Sequence, residues 1–154
     1  MSATIAIERD SFVMLRLGGR RFALPAAIVT ELVPPVHLHA FPHRTPMVAG
    51  VIVRRGRIIP VYDVSHVLFG KESAGRRFFL VASRQFGTQC EPSAIPVDGE
   101  CELVNAEMLP TPGDSPKYVA GVLAIDGETI EVLNFENLVC TDPIASGAPA
   151  KVPS

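Results

Sequence analysis

Three histidines form the densest cluster of metal-ligating side chains in the sequence. His37, His39 and His43 lie in the segment HLHAFPH, where a strand would place two imidazoles on one side and leave the third nearby. Imidazoles grouped in this way can ligate zinc or copper. The segment contains no acidic residue or cysteine, however; Pro34 and Pro35 precede it and Pro42 interrupts it before His43. We therefore favour a solvated loop, with a histidine-cluster metal-binding protein as the alternative.

Candidate nucleophiles are present, but none has the sequence context of a catalytic site. They are Ser65, Ser83, Ser93 and Cys101, and none lies in the G-x-S-x-G pattern of a nucleophile elbow. The pair Gly18-Gly19 lacks the Lys and Ser or Thr that follow the glycines of a phosphate-binding loop. The sequence therefore predicts neither enzymatic activity nor a bound cofactor.

The cysteines and the amino-terminal segment indicate the compartment. Cys90, Cys101 and Cys140 are odd in number, far apart and without C-x-x-C spacing, which is typical of reduced intracellular thiols. The opening residues MSATIAIERD lack the basic and apolar regions of a signal peptide, and no apolar run is long enough to cross a bilayer. We expect a soluble, cytoplasmic protein without membrane insertion.

The stretch GVIVRRGRIIPVYDV, residues 50–64, carries three arginines at its centre, in Arg54-Arg55-Gly56-Arg57. Further arginine pairs lie at 20–21 and 76–77, so a basic surface for nucleic acid is one interpretation. The formal net charge of −2, the absence of tryptophan and the scarcity of tyrosine argue against it, because oligonucleotide-binding barrels present aromatic side chains for base stacking. We expect no nucleic acid partner.

The chain has the pattern of an all-β protein. FVMLRL, residues 12–17, alternates with a period of two, which is typical of a half-buried strand, and Gly18-Gly19 turns the chain into RFALP. IVTELV, residues 28–33, predicts another strand that Pro34-Pro35 ends. Short strands, 14 prolines and 12 glycines favour small barrels or a sandwich with few helices.

An internal repeat is the most informative feature of the sequence. With a shift of 71 residues, GVIVRRGRIIPVYDVSHVL (50–68) falls on GVLAIDGETIEVLNFENLV (121–139). Each copy predicts a strand, a tight turn at Gly56 or Gly127, a second strand, and Asp63 or Asn134 as the cap of a short helix. Units of this size are too small for much independent stability, so we expect the two to pack together as one domain.

Three ordered segments carry a resemblance to a known family. They are FVMLRLGGRRFALPAAIVTELV, TPMVAGVIVRRGRIIPVYDVSHVLFG and YVAGVLAIDGETIEVLNFENLV. Together they resemble the CheW-like domain, the chemotaxis coupling module, over residues 11–140. The resemblance implies a single domain of two intertwined, five-stranded SH3-like barrels with one or two short helices. It leaves residues 141–154, TDPIASGAPAKVPS, as a Pro-, Ala- and Ser-rich tail that we expect to be disordered.

The resemblance also implies a function and the residues that serve it. Members of the family are non-catalytic adaptors that couple the tips of methyl-accepting chemoreceptors to the regulatory domain of a CheA-type histidine kinase, in arrays near the inner membrane. A coupler for a pilus, gliding or gene-regulatory pathway is the alternative within the family. The implied partner-binding residues are Arg55 at the turn, Glu31 in the segment VTEL, Gly50 before the strand and Gly56 in the turn.

The sequence departs from the family pattern at the arginine turn. Where the family usually has Asn-Leu before Arg-Gly, this chain has Val53-Arg54. The substitution makes the turn more basic and removes an amide side chain that could hold it in place. At the end of the second copy, Asn134 replaces the expected Asp, and either residue can cap a helix.

Overall fold

The computed structural model describes residues 10–40, 48–70, 78–86, 88–111 and 113–140. The first strands of the chain are β1 (Asp10–Leu17), β2 (Arg20–Pro25), β3 (Val29–Val33), β4 (Val48–Arg54) and β5 (Arg57–Tyr62). The remaining strands are β6 (Phe78–Phe86), β7 (Gln89–Val97), β8 (Glu102–Ala106), β9 (Val119–Ile125) and β10 (Glu128–Leu133). The helices are α1 (Ser65–Phe69), α2 (Phe135–Cys140) and a 3-10 turn at Ala26–Ile28.

The strands form two five-stranded sheets, as the resemblance implied. One has the order β3-β6-β7-β5-β4 and comes from the middle of the chain. The other has the order β8-β1-β2-β10-β9 and combines both ends of the chain. A backbone bridge between His39 and Val51 joins the segment after β3 to β4, and a bridge between Leu109 and Val122 joins the segment after β8 to β9. Each sheet thereby closes into a barrel, which we call the central barrel and the mixed barrel.

The mixed barrel has the strand arrangement of the central barrel in circularly permuted form. If β3, β4, β5, β6 and β7 are replaced by β8, β9, β10, β1 and β2, one strand order becomes the other. The pairing agrees as well, because β5 lies parallel to β7 and β10 lies parallel to β2. The mixed barrel therefore needs the first two and the last three strands of the described chain, with the central barrel formed by the strands between them, and this is why the two units are intertwined.

The repeated segments of the sequence are the β4–β5 and β9–β10 hairpins, whose strands and turns lie at equivalent positions. A shift of 71 residues maps the bounds of β4 onto β9 and those of β5 onto β10. The two turns also agree in conformation, with φ of 54° and 76° at Arg55 and Gly56 and of 52° and 79° at Asp126 and Gly127. Two consecutive residues with positive φ are typical of a type I′ turn, whose twist matches that of the flanking strands.

Among the residues that the structure describes, the buried apolar side chains form three clusters. One fills the mixed barrel and includes Phe12, Met14 and Ile130, and a second fills the central barrel and includes Ile52 and Val61. The largest lies between the two barrels. Its most buried large side chains are Leu15, Phe22, Leu24, Leu80, Ile95, Leu133 and Leu138. Burial of this apolar surface stabilises the barrels as one unit.

The prediction that β1 is a half-buried strand is wrong, because both of its faces are buried. Phe12 and Met14 point into the mixed barrel, while Leu15 and Leu17 belong to the cluster between the barrels. A strand that separates two cores needs apolar residues on both sides, and β1 has them everywhere except at Asp10, Ser11 and Arg16. The two-residue alternation along β1 therefore does not separate a buried face from a solvent face. It separates residues that face the mixed-barrel core from residues that face the cluster between the barrels.

Both helices follow a capped turn, as the repeat predicts. The Asp63 carboxylate accepts a hydrogen bond from the backbone N–H of Ser65 at 3.1 Å, and the Asn134 side chain accepts one from Asn137 at 3.0 Å. None of the described residues belongs to a helix with the length and apolar character needed to span a bilayer. The predicted disordered tail, residues 141–154, lies outside the described residues.

The β1–β2 turn is fixed against the central barrel. The Gly18 Cα lies close to α1, since a Cβ built there would be 2.9 Å from the Phe69 ring. The backbone N–H of Gly19 donates to the Asp98 carboxylate at 3.3 Å, and the N–H of Asp98 donates to the carbonyl of Arg16 at 2.9 Å. These contacts set the orientation of the barrels and hence of the surfaces they expose.

Candidate functional site

The arginine hairpin, β4–β5 (residues 48–62), projects a basic turn from the central barrel. Arg54 and Arg57 are the last paired residues of its two strands, with Arg55-Gly56 between them. Arg55 has a φ of 54°, in the left-handed region that favours Gly, Asn and Asp. The turn therefore holds Arg55 in a backbone conformation that is unfavourable to arginine.

Glu31 and Arg54 form an ion pair beside this turn. Arg54 donates from Nε to Oε2 of Glu31 at 2.6 Å, and its Nη2 lies 2.5 Å from the same oxygen. Both side chains are largely shielded, with exposed fractions of 21% for Glu31 and 32% for Arg54. The pair links β3 to the end of β4. Arg54 thus anchors the end of β4 to Glu31 of β3.

Arg55, the first of the predicted partner-binding residues, extends into solvent. Its side chain is 76% exposed, and its Nη2 lies 3.8 Å from Oε2 of Glu31. An exposed charge pair at this separation contributes little to stability. The structure thus brings Glu31 and Arg55 together, with Arg54 as the main partner of the carboxylate and Arg55 as the accessible charge.

Two large aliphatic side chains accompany the arginines on the outer face of the hairpin. Val53 and Ile58 are directly opposite each other in the β4–β5 register. They are 52% and 70% exposed, whereas Ile52 and Ile59, their neighbours in sequence, point inward and are buried. The hairpin therefore exposes an apolar pair beside its positively charged turn. This pair was not predicted from the sequence. The signal for it is the two-residue alternation of the strand: since Ile52 points into the barrel, Val53 next to it must point outward.

The two predicted glycines have different surroundings. Gly50 is buried, and a Cβ at this position would be 2.3 Å from the carbonyl oxygen of His39. That carbonyl accepts the N–H of Val51 in the bridge that closes the central barrel, so the close approach requires glycine. Gly56 is exposed, with a φ of 76°, and a Cβ placed there would meet no atom within 4 Å. Gly50 therefore shapes the barrel, and Gly56 shapes the turn.

The acidic hairpin, β9–β10 (residues 119–133), has the same backbone conformation as the arginine hairpin but carries the opposite charge at its turn. Asp126 and Glu128 replace Arg55 and Arg57, and Ala124 and Thr129 replace the apolar pair, all four being exposed. The carboxylate of Glu128 accepts a hydrogen bond from Arg21 of β2 at 2.9 Å. The duplicated barrels therefore present two chemically different surfaces on one repeated framework.

The histidine segment shows a contact between two rings. His37 and His39 lie edge to face with centroids 4.4 Å apart, and both are exposed. His43 lies outside the described residues. Among the residues that the structure describes, no three His, Cys, Asp or Glu side chains are grouped so that they could hold a metal ion.

Three of the candidate nucleophiles, Ser65, Ser93 and Cys101, are poorly placed for nucleophilic attack. Ser65 and Ser93 are 6% and 2% exposed, and Ser65 begins α1 with its backbone N–H bonded to the Asp63 cap. Burial raises the pKa of the Cys101 thiol to about 11, which disfavours the reactive thiolate. Burial also raises the pKa of the Tyr118 phenol, and the Glu131 carboxylate adds to the effect while Arg20 opposes it. Neither Cys101 nor Tyr118 lies on the arginine hairpin.

Comparison with known proteins agrees with this architecture. The model of the CheW-like domain family matches residues 11–142. The chain is similar to Protein FrzA of Myxococcus xanthus, with 29% identity over 145 residues that cover 90% of this chain and 91% of that protein. It also resembles the crystal structure of the scaffolding protein TtCheW from Thermoanaerobacter tengcongensis. The TM-score is 0.75 at 21% identity, with 88% of this chain and 96% of the other covered.

Proposed function

Because the chain belongs to the CheW-like domain family, a family of coupling and scaffold proteins, we propose that it is a non-catalytic adaptor in a bacterial chemosensory array. It couples the tips of methyl-accepting chemoreceptors to the regulatory domain of a CheA-type histidine kinase. Such arrays lie at the cytoplasmic side of the inner membrane, so the adaptor acts there without inserting into the bilayer. It has no nucleic acid partner, metal or cofactor.

The observation that carries this proposal is the difference between the two hairpins. An adaptor must hold two partners at once, and therefore needs two surfaces that do not compete. The arginine hairpin offers Val53 and Ile58 beside exposed Arg55, whereas the acidic hairpin offers small and acidic side chains at the equivalent positions. Duplication followed by divergence of the outer face supplies such a pair of surfaces.

Signal transfer through an adaptor depends on coupled binding and not on chemistry. If receptor and kinase bind different faces, one can affect the other only through a free energy of coupling between the two contacts. The buried cluster between the barrels and the contacts of the β1–β2 turn with α1 and Asp98 provide a continuous packed connection. If binding of one partner moves one barrel, these contacts would carry the movement to the other barrel or oppose it.

The proposal is tested by binding the kinase regulatory domain and a receptor signalling fragment from the same organism to the purified chain, by calorimetry. Ile58→Asp places a charge in the exposed apolar pair, and Arg55→Glu reverses the accessible charge. We expect each to weaken one of the two interactions at least about tenfold, which is a typical effect at the centre of an interface. Circular dichroism should show an intact fold, because both side chains are exposed.

Thr129→Asp is the matched control, since Thr129 occupies the position of Ile58 in the acidic hairpin. It should leave the interaction that Ile58→Asp weakens unchanged. The adaptor assignment fails if the unmodified chain binds neither partner. Assignment of the partner surface to the arginine hairpin fails if both partners bind Ile58→Asp and Arg55→Glu as tightly as the unmodified chain.

A further inference from the structure

Arg54 lies on the inner face of the arginine hairpin, on the opposite side of the strand from the exposed apolar pair. Ile52 is buried in the central barrel and Val53 is exposed, so the alternation of β4 turns Arg54 back to the inner face. Glu31 is on the same face, because it lies opposite Val81, which also belongs to the cluster that fills this barrel. The ion pair between Arg54 and Glu31 therefore lies at one end of the barrel interior.

The repeat shows that an apolar side chain suits this inward position. Ile125 of β9 is equivalent to Arg54 under the shift of 71 residues, and it packs against the cluster of the mixed barrel. An arginine that is shielded from solvent at the same position needs a counter-charge. Glu31 supplies it, since Nε and Nη2 of Arg54 both contact its Oε2. Two donors on one carboxylate oxygen compensate the charge of Glu31.

Compensation of this carboxylate leaves Arg55 available to a partner. Nη2 of Arg55 lies 3.8 Å from Oε2 of Glu31, and the Arg55 side chain is 76% exposed while Arg54 holds that oxygen. Without Arg54, a rotation of the Arg55 side chain would bring its guanidinium into hydrogen-bond contact with the carboxylate. A charge held in that contact is no longer presented at the turn.

We propose that Arg54 is a positioning residue that makes the arginine hairpin specific for an acidic partner. The inference rests on the proposed function and names the chemistry of the partner. It is a protein surface that places an apolar side chain on Val53 and Ile58 and a carboxylate within reach of Arg55. Charge complementarity of this kind steers association and excludes partners of the wrong charge. Arg54 acts through Glu31 and does not touch the partner, because it lies on the other side of β4.

The effect of Arg54 on Arg55 is measurable without a partner. With ¹⁵N-labelled arginine, NMR relaxation of the Arg55 Nε–H reports the mobility of its side chain. We expect high mobility in the unmodified chain and restricted mobility in Arg54→Leu. The double variant Arg54→Leu, Glu31→Gln should recover the mobility, because an amide carries no charge to hold the guanidinium. Equal mobility in all of these proteins would overturn the proposal, and so would a restriction that persists in the double variant.

Calorimetry with the kinase regulatory domain and the receptor signalling fragment is the second test. Arg54→Leu should weaken, by about fivefold, the interaction that Arg55→Glu weakens, since the released carboxylate both holds Arg55 and repels an acidic partner. Addition of Glu31→Gln should restore the affinity, which a merely structural role of Arg54 would not allow. Added salt should weaken this interaction in the unmodified chain. An affinity independent of salt would contradict an acidic partner surface.

Arg21→Leu is the matched control. It removes one positive charge, as Arg54→Leu does, and breaks the ion pair with Glu128 in the acidic hairpin. It should leave the interaction at the arginine hairpin unchanged. Leucine at position 54 resembles Ile125 at the equivalent position, so we expect the variants to fold, which circular dichroism checks.

Failure of this inference is distinguishable from failure of the proposed function. If Arg54→Leu binds as tightly as the unmodified chain, or if the double variant stays as weak as Arg54→Leu, the inference is wrong while the adaptor assignment stands. If the unmodified chain binds neither partner, the adaptor assignment fails, and the mobility of the Arg55 side chain alone decides the role of Arg54.

Discussion

The Glu31 carboxylate is paired with Arg54 and only approached by Arg55. Nε of Arg54 lies 2.6 Å from Oε2 of Glu31, whereas Nη2 of Arg55 lies 3.8 Å from it. The two neighbouring arginines therefore have separable roles, in which one anchors the hairpin to β3 and the other presents a charge. Since Glu31 and Arg54 are mostly shielded from solvent, the pair depends less on salt than an exposed pair does.

Replacement of Arg54 by Ala should destabilise the protein more than replacement of Arg55. Loss of Arg54 leaves a shielded carboxylate without its main donor, which should lower the free energy of unfolding by about 1 to 2 kcal/mol. Arg55→Ala removes a largely exposed charge and should cost less than about 0.5 kcal/mol. Urea denaturation of the two variants measures both values.

A double-mutant cycle with Glu31→Ala separates the pair from other effects of each substitution. We expect a coupling energy between Glu31 and Arg54 well above that between Glu31 and Arg55. Equal coupling energies would contradict the division of roles between the two arginines.

Gly50→Ala should open the closure of the central barrel. The added Cβ would lie 2.3 Å from the carbonyl oxygen of His39, so the backbone on one side of the bridge has to move. Overpacking of this kind costs about 1 to 3 kcal/mol. Gly56→Ala is the matched control, because it meets only the strain of a φ of 76° and should cost about 1 kcal/mol. A smaller loss at Gly50 than at Gly56, by urea denaturation, would show that the bridge adapts easily.

The hairpins were predictable because their folding information is local. The shift that aligns Gly50 with Gly121 also aligns the turns, since Asp126-Gly127 is a strong turn signal and Arg55-Gly56 lies at the matching position. The bridges that close the barrels were not predictable in this way. They join His39 to Val51 and Leu109 to Val122 across irregular segments that carry no strand pattern.

The site could be predicted in part. The resemblance to the family selected Glu31 and Arg55, which the structure places beside each other, but it gave no role to Arg54. That role depends on the distance between β3 and the end of β4, which is set by pairing through β6, β7 and β5 and is therefore a property of the whole sheet. Pairing partners distant in sequence leave no trace in one sequence read alone.

The Cys101 thiol should make stability fall at alkaline pH. Its folded pKa of about 11 is raised from an ordinary value of 9.0 because burial disfavours the thiolate. The unfolded chain therefore loses this proton first, and the stabilisation present below pH 9 is lost as the pH rises to about 11. The free energy of unfolding of the unmodified chain should decline more steeply over this range than that of Cys101→Ala. If the free energies of unfolding of the two proteins decline with equal slopes over this range, burial does not raise the pKa of the Cys101 thiol.

Arg55→Asn should stabilise the protein while weakening partner binding. Arg55 has a φ of 54°, and asparagine accepts this conformation more readily than arginine, so we expect a gain of about 0.5 to 1 kcal/mol in the free energy of unfolding. The substitution also removes the exposed charge that the proposed function assigns to partner contact.

Asp126→Asn is the matched control, because Asp126 has a φ of 52° in the equivalent turn and aspartate already tolerates that conformation well. It should change stability little and leave binding at the arginine hairpin intact. Thermal unfolding and calorimetry on the same samples measure the two effects, and a variant that is more stable yet binds both partners undiminished would mean that Arg55 is not a contact residue.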